Sequence, residues 1–238
     1  MEQSAADPTE PNGPELGKAT GTLAERLFHE LTEAILQGDL ELGSKISEPL
    51  LAKKYAVSRG PLREALHRLQ ERHLITRSAN QGARVAEATP EKLSDLFKVR
   101  MMLESLAARE ATMNCSGSDL AQLARIIENH EAQILGTAPE RHTALGSTDR
   151  DFHFLIAQRS ENQLLIRLLC EELYPLLRLY RSRNDNLELR KRACIEHRRI
   201  LDAMIDRDPE MAELMMRRHI DHARQRRVRA MEHPKTSD

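Results

Sequence analysis

The feature that most restricts the fold is a pair of helical patterns separated by only two residues, Ala56 and Val57. The first helix is predicted to begin at Ser47, whose side chain can cap it, and to end near Tyr55. The second begins at Ser58 as its N-cap and carries apolar side chains at three- and four-residue spacing, at Leu62, Ala65, Leu66 and Leu69. Two helices joined by so short a turn form a helix-turn-helix.

Two short extended runs follow this pair of helices. They cover residues 74–77 and 83–86 and enclose a turn that contains Gly82, which predicts a β-hairpin. A further amphipathic helix, from Leu23, precedes the pair. These elements together predict a winged helix-turn-helix domain over residues 21–88.

Positive charge is concentrated in this part of the chain. Between Lys45 and Arg84 there are nine Lys or Arg and three acidic residues, a balance of +6 (9 − 3) in a protein whose formal net charge is −1. Arg59, Arg63 and His67 recur every four residues, so they project from one face of the second helix. Such a row can enter the major groove, where Arg donates two hydrogen bonds to guanine. The alternative interpretation is an ordinary solvated helix face.

Other residues near the second helix are candidates for contacts that position the protein on DNA. A glycine lets the main chain approach a phosphate, and basic side chains hold the backbone without reading its sequence. These candidates are Ser58, Gly60, Lys53, Lys54 and Arg68. Ala56 stands in the turn where Gly is usual, at a cost of about 1 kcal/mol if the backbone there is left-handed.

From Pro90 onward the sequence predicts helices only. Aromatic residues make up 3% and Trp is absent, so the cores must consist of Leu, Ile, Ala and Met, which favours packed helices. The predicted helices cover residues 91–113, 118–135, 148–159, 162–183, 187–207 and 209–231. We therefore expect a mainly α protein, with an all-helical bundle domain over residues 89–232. Residues 1–20 are rich in Pro, Gly and small polar residues and are predicted to form a disordered tail.

Composition also indicates the compartment. No apolar run reaches the roughly 18 residues of a membrane span, and no signal-peptide pattern stands at the N-terminus. The three cysteines are widely spaced and form no CxxC pair, which is typical of a reducing compartment. We expect a soluble, cytoplasmic protein.

Four residues of the helical domain have metal-ligand side chains on predicted interior faces: Asp149, His153, His197 and His219. Any one of these histidines, taken singly, is more often a satisfied core residue than a ligand. Four together would be costly to bury unless a divalent cation satisfies them, and a nitrogen-rich set favours Zn, Ni or Mn. His222, one turn beyond His219, is a weaker alternative.

Arg100 is a charged residue on another predicted interior face. One interpretation is an internal ion pair with Glu104, one turn further along the helix. The other is a clamp for a small carboxylate that also binds the metal, because a guanidinium matches the shape of a carboxylate. The sequence leaves both open.

Residues 23–86 resemble the DNA-binding domain of the GntR family of bacterial regulators. The stretch ISEPLLAKKYAVSRGPLREALHRLQERHLIT contains the family pattern V-S-R-x-P-x-R-E-A-L. The resemblance implies that Arg59 and Arg63 contact DNA and that the wing tip at Gly82 enters the minor groove. Where the family often has Arg-Gly at that tip, this chain has Gln81 before the glycine.

Residues 91–230 resemble the FCD effector domain of the FadR branch of that family. The matching segments are LFKVRMMLESLAAR, DRDFHFLIAQRSENQLL, EHRRILDAMIDRD and MMRRHI. In that family the corresponding Asp and three His bind a metal ion, which implies the same role for Asp149, His153, His197 and His219. Six predicted helices are similar to the shorter, VanR-type version of the domain.

These observations predict a ligand-responsive transcription regulator, acting as a repressor. We expect a homodimer that binds a near-palindromic operator in double-stranded DNA, and a small organic acid, bound by the metal and Arg100, that changes its affinity for DNA. One alternative is a DNA-binding protein with a purely structural metal. Another is a metal-dependent hydrolase, but no HExxH motif, nucleophile elbow or phosphate loop is present, so we expect no enzyme.

Overall fold

The computed structural model describes residues 21–78, 82–138, 148–179 and 187–233, without the side chains of 148–150. The chain divides between Glu87 and Ala88 into two compact units, one residue before the boundary expected from the sequence. Helices dominate both units, which confirms the predicted mainly α fold. The expected disordered tail at residues 1–20 and Gln81 of the hairpin turn lie outside the described residues.

The N-terminal unit combines helices with a small antiparallel sheet. Its described elements are α1 (Leu23–Gln37), β1 (Lys45–Ile46), α2 (Glu48–Lys54), α3 (Arg59–Glu71), β2 (Ile75–Ser78) and β3 (Gly82–Val85). Helix α1 begins with a capping box between Thr22 and Glu25. Its buried leucines pack against those of α3. This arrangement confirms the predicted winged helix-turn-helix.

The strand β1 was not predicted. It pairs with β3, so that the sheet has the order β1-β3-β2 and the hairpin is its larger part. The register places Lys45 opposite Arg84 and Ile46 opposite Ala83. Two residues are too few to show the alternation by which a strand is identified in a sequence.

The turn between α2 and α3 contains the expected strain. Ala56 has a φ of 50°, in the left-handed region that favours glycine. Ser47 and Ser58 precede the two helices in extended conformation, but neither makes the side-chain capping hydrogen bond predicted for it. At Ser58 the cause is Pro61, because the capping side chains described elsewhere in this chain bind the N–H of the third helical residue, and proline has no N–H. At Ser47 the third helical residue is Leu50, and nothing in the structure explains the missing bond.

The C-terminal unit is helical throughout its described residues. Its elements are α4 (Pro90–Asn114), α5 (Gly117–Ile134), α6 (Thr148–Arg159), α7 (Gln163–Ile166), a π-helical segment (Arg167–Leu173), α8 (Tyr174–Leu179), α9 (Leu187–Ile205) and α10 (Pro209–Glu232). Helices α4 and α10 pack along each other in opposite directions, since Arg109 contacts Glu210 and Arg224 contacts Ser94. None of the described helices combines the length and apolarity needed to cross a membrane.

The helix predicted over residues 162–183 is interrupted in its described part. A π-helical segment separates α7 from α8. Pro175 lies just beyond it and cannot donate a hydrogen bond to the preceding turn, so the regular α-helical ladder cannot continue unchanged through this point. If residues 163–179 are counted as one helical run, the described part of this unit has the six helices that were predicted.

Candidate nucleic-acid interface and metal centre

The outer face of α3 carries the residues predicted to read DNA. Arg59, Gly60, Arg63 and His67 are all exposed, and the side chains of Arg63 and His67 are each 66% exposed. The opposite face of the helix is buried against the rest of the unit. The helix therefore presents Arg59, Arg63 and His67 to solvent on one face, where His67 also lies 3.4 Å from Glu71.

An acidic residue that the sequence analysis did not single out organises this surface. Glu48, in the first turn of α2, accepts from Nε of Arg63 at 3.4 Å and from Nη2 of Arg77 at 3.2 Å. It therefore connects the recognition helix to the strand β2. A glutamate at the start of a helix is common for electrostatic reasons, so its type and position in the sequence gave no sign of this second role.

The remaining DNA candidates also lie on the surface. Ser58, Lys53 and Lys54 are exposed. A Cβ at Gly60 would meet no atom within 4 Å, so nothing inside the protein requires glycine there. Gly82, with a φ of 74°, begins β3 beside the undescribed turn.

Arg68 is more engaged than the other basic candidates. It forms ion pairs with Glu64 at 3.0 Å and with Glu25 of α1 at 3.5 Å. A contact between Arg68 and a phosphate would compete with these two pairs.

Three histidines from three helices converge inside the C-terminal unit. His153 of α6, His197 of α9 and His219 of α10 are each at most 3% exposed. Their Nε2 atoms lie 3.2 Å (153–197), 3.2 Å (197–219) and 3.3 Å (153–219) apart. The ring of His197 stacks on Phe152 with centroids 4.3 Å apart, which fixes its plane. These three residues are called the histidine cluster below.

The outer nitrogens of two of these rings face carboxylates. Nδ1 of His219 is hydrogen-bonded to Oε2 of Glu196 at 2.7 Å, and Nδ1 of His153 lies 2.7 Å from Oε2 of Glu104, within ion-pair distance but off the direction of a hydrogen bond. A carboxylate at Nδ1 holds the proton on that side of the ring and turns Nε2 toward a metal. Sequence analysis missed Glu196, because a glutamate beside a histidine in a polar helix has no distinguishing pattern.

Both carboxylates are held ionised. Burial raises the pKa of Glu104, but the Arg100 guanidinium and His153 outweigh burial and lower that pKa to about 2. Burial also raises the pKa of Glu196. The hydrogen bond to His219 is the largest of the opposing effects, which together lower that pKa to about 2. An ionised carboxylate accepts the Nδ1 proton and increases the basicity of the ring.

The histidine cluster fits a first-row transition metal. Two nitrogens bound to one metal at about 2.1 Å lie about 3.0 Å apart at an octahedral angle and about 3.4 Å apart at a tetrahedral angle, a range that includes the observed separations. If the ring protons of His153 and His219 are on Nδ1, on the side of their carboxylates, the neutral rings direct two Nε2 lone pairs at each other. A cation between them removes that repulsion. Imidazole ligands suit Zn or Ni, and a carboxylate added to them also suits Mn.

Of the other two residues considered as ligands, Asp149 has no described side chain and His222 lies outside the histidine cluster. Asp149 lies in α6, one turn before His153, but its side chain is outside the described residues. The side chain of His222 is 53% exposed, and its Nδ1 lies 2.8 Å from Oε1 of Glu196. His222 is therefore beside the carboxylate that orients His219 and not in the cluster.

Arg100 forms the internal ion pair with Glu104 that was one of the two interpretations of the sequence. Its Nε donates to Oε1 of Glu104 at 2.6 Å, and both residues are buried. Glu104 thereby connects Arg100 to His153. Tyr174 is buried as well, and burial together with the Glu104 charge raises the pKa of its hydroxyl well above its usual value.

The comparisons with known proteins match both units. Residues 23–85 match the bacterial regulatory proteins of the gntR family, and residues 95–222 match the FCD domain. The chain is 27% identical to the HTH-type transcriptional regulator YdhC of Bacillus subtilis over 198 residues, covering 83% of this chain and 87% of YdhC. It is 25% identical to the Uxu operon transcriptional regulator of Escherichia coli over 231 residues, covering 87% and 89%.

A solved structure supports the same fold. The structure of McbR/YncC of Escherichia coli superimposes with a TM-score of 0.66 at 22% identity, covering 88% of this chain and 99% of that one. The matched families and the relatives named above are regulators and not enzymes, so the alternative of a metal-dependent hydrolase is set aside. The chain belongs to the GntR family of bacterial transcription regulators and carries a C-terminal FCD domain.

Proposed function

We propose that this regulator binds its operator as a homodimer and that a small organic acid, bound at a metal in the histidine cluster, sets its affinity for DNA. The observation that carries this proposal is the convergence of three buried Nε2 atoms within 3.3 Å of one another. A metal centre inside the domain that follows a DNA-binding unit is suited to sensing. The same protein would act in the cytoplasm, where the operator is.

The DNA-binding part of the proposal rests on the exposed row of α3. In it Arg59 and Arg63 read base edges, while Ser58, Lys53 and Lys54 contact phosphates. The absence of a side chain at Gly60 lets the phosphate backbone approach α3, and Gly82 allows the same approach at the wing formed by β2 and β3. Two copies of α3 related by a two-fold axis would read two half-sites about one helical turn apart, which requires a near-palindromic operator.

Arg63→Ala tests this part. Fragments selected from genomic DNA by the purified protein provide the operator, and binding is measured by fluorescence anisotropy. We expect a loss of about 1 to 3 kcal/mol, because one bidentate contact with guanine disappears in each half-site. Arg125→Ala, a change at an exposed arginine of α5, is the matched control. Operator affinity that is equal for both variants would contradict the assigned role.

The metal part of the proposal assigns Asp149, His153, His197 and His219 as the ligands. A bound divalent ion would supply a Lewis-acidic partner for the carboxylate of an organic acid. Glu104 and Glu196 hold two of the imidazoles in orientation. Arg100 would provide the second contact with the acid, in exchange for part of its ion pair with Glu104.

His197→Ala tests the metal centre by elemental analysis of the purified protein. Nε2 of His197 lies 3.2 Å from each of the other two Nε2 atoms, so we expect the variant to lose the metal. His222→Ala is the matched control and should retain it, since His222 lies outside the histidine cluster. Full metal content in His197→Ala, or loss only in His222→Ala, would show that the ligands are assigned wrongly.

The sensing role is tested separately from metal binding. A thermal-shift screen of small organic acids on the metal-loaded protein should find one that raises the melting temperature and releases operator DNA. Because an operator-bound dimer obstructs transcription, we propose repression, so deletion of the gene should raise transcription from the bound promoter. If no acid does either, the metal is structural, which was the alternative derived from the sequence.

A further inference from the structure

The carboxylate of Glu48 is held between two elements of the N-terminal unit. Its Oε2 accepts from Nε of Arg63 in α3 at 3.4 Å, and its Oε1 accepts from Nη2 of Arg77 in β2 at 3.2 Å. The position of Arg77 is itself fixed, because β2 pairs with β3 through the register of Arg77 with Ala83. Each oxygen of Glu48 is thus bound by a different arginine, so the carboxylate is restrained from both sides.

The contact with Glu48 leaves the tip of Arg63 free. A guanidinium has one N–H on Nε and two on each Nη. Glu48 uses the N–H of Nε, so both Nη atoms keep the N–H groups that point away from the protein. The side chain of Arg63 is 66% exposed, so these donors are accessible to DNA. A bidentate contact with O6 and N7 of guanine needs two such donors side by side.

An exposed ion pair of this kind contributes little to the stability of the free protein, because water competes for both charges. Its effect is greater when DNA covers the outer face of α3. A guanidinium that is already oriented loses less rotational freedom on binding. A fixed orientation also restricts which base edge the tip of Arg63 can meet. The contact therefore bears on DNA recognition more than on folding.

We propose that Glu48 is a positioning residue for operator recognition, which orients Arg63 so that the tip of its guanidinium meets a guanine in each half-site. This inference rests on the proposed reading of DNA by Arg63 and states what directs that side chain. The carboxylate of Glu48 also repels phosphates, and only DNA whose guanine binds Arg63 compensates for this repulsion. Glu48 thus favours the operator over other DNA.

Two substitutions of Glu48 separate orientation from charge. Glu48→Asp keeps the charge but is one methylene shorter, so its oxygens no longer reach Arg63. Glu48→Gln keeps the length and removes the charge. Glu64→Gln is the matched control, because Glu64 is an exposed glutamate of α3 whose ion pair is with Arg68. It removes one negative charge from the same helix and leaves the contact between Glu48 and Arg63 intact. Circular dichroism verifies that all three variants are folded.

Fluorescence anisotropy measures the dissociation constants for the selected operator and for a scrambled duplex of the same length and composition. We expect the ratio of the two constants to fall at least about 5-fold in both Glu48 variants, the lower limit of the discrimination that a bidentate arginine provides. In Glu64→Gln it should change by less than about 2-fold, because a distributed charge acts on both duplexes alike. Affinity for the scrambled duplex should rise in Glu48→Gln and stay unchanged in Glu48→Asp.

A scan of single base-pair substitutions in the operator identifies the side chain through which Glu48 acts. Discrimination should be lost at the base pair where Arg63→Ala loses it, and adding Glu48→Asp to Arg63→Ala should change the ratio by less than about 2-fold. If Arg63→Ala loses discrimination and neither Glu48 variant does, or if the losses fall at other base pairs, the inference is refuted and the assigned role of Arg63 stands. If Arg63→Ala keeps full discrimination, the inference and the proposed reading by Arg63 both fail.

Discussion

Replacing Glu104 by Gln should destabilise the C-terminal unit by about 3 to 5 kcal/mol, because the buried charge of Arg100 then loses this counter-charge. Glu104 is 1% exposed and Arg100 is 8% exposed, so water solvates neither charge effectively. Nε of Arg100 lies 2.6 Å from Oε1 of Glu104, a close charge-assisted hydrogen bond. Gln keeps the shape of the side chain and removes only its charge.

The assay is thermal and urea unfolding in EDTA, so that no metal contributes. For a protein of this size, 1 kcal/mol shifts the melting temperature by about 2 to 4 °C, so Glu104→Gln should melt about 6 to 20 °C lower. Arg100→Met should have a comparable effect, and the double variant should lose far less than the sum, since both charges of the buried pair are then removed together. Glu188→Gln, in an exposed pair with Lys191, is the matched control and should change stability by less than about 1 kcal/mol. A Glu104→Gln variant within about 2 °C of the parent would refute the reasoning.

Three further outcomes are expected. Ala56→Gly should stabilise the N-terminal unit by about 1 kcal/mol, because glycine adopts the left-handed backbone there without strain. The control Ala52→Gly, within α2, should destabilise the unit. If both variants changed the free energy of unfolding equally, Ala56 would not be strained. The hydrogen bonds from Ser116 and then the Arg159 contact lower the pKa of Asp119 to about 2. A lowered folded-state pKa means that its stabilising contribution is complete above about pH 4 and is lost as the pH falls toward 2, so Asp119→Asn should show a shallower loss of stability than the parent over that range. Glu196→Gln should weaken metal binding about 10- to 100-fold by isothermal titration, and unchanged affinity would show that Glu196 does not orient its histidine.

Local patterns in the sequence were sufficient for most of the N-terminal unit. The apolar spacing in α3 and the two-residue turn predicted the helix-turn-helix, and the strain at Ala56 followed from its turn position. The strand β1 was missed because two residues carry no periodicity. The predicted capping bond of Ser58 was wrong because Pro61 was treated as compatible with a helix and not as a missing donor, while the missing bond of Ser47 has no structural explanation.

The candidate metal site was predicted only in part. His153, His197 and His219 could be selected because each falls on an interior face of its own helix, and a buried imidazole needs a partner. Asp149 stays a prediction, because its side chain lies outside the described residues. Glu196 could not be found in this way, because its importance comes from a distance to a residue 23 positions away.

The order of residues along the chain thus determined which segments become helices, which faces are buried, and that a basic helix follows a tight turn, because these properties depend on spacing within a few residues. Tertiary structure alone decided that three imidazole nitrogens meet within 3.3 Å and that Glu196 lies 2.7 Å from the ring of His219. Those outcomes depend on how distant helices pack, and packing is fixed by the summed contacts of the whole domain rather than by any local pattern.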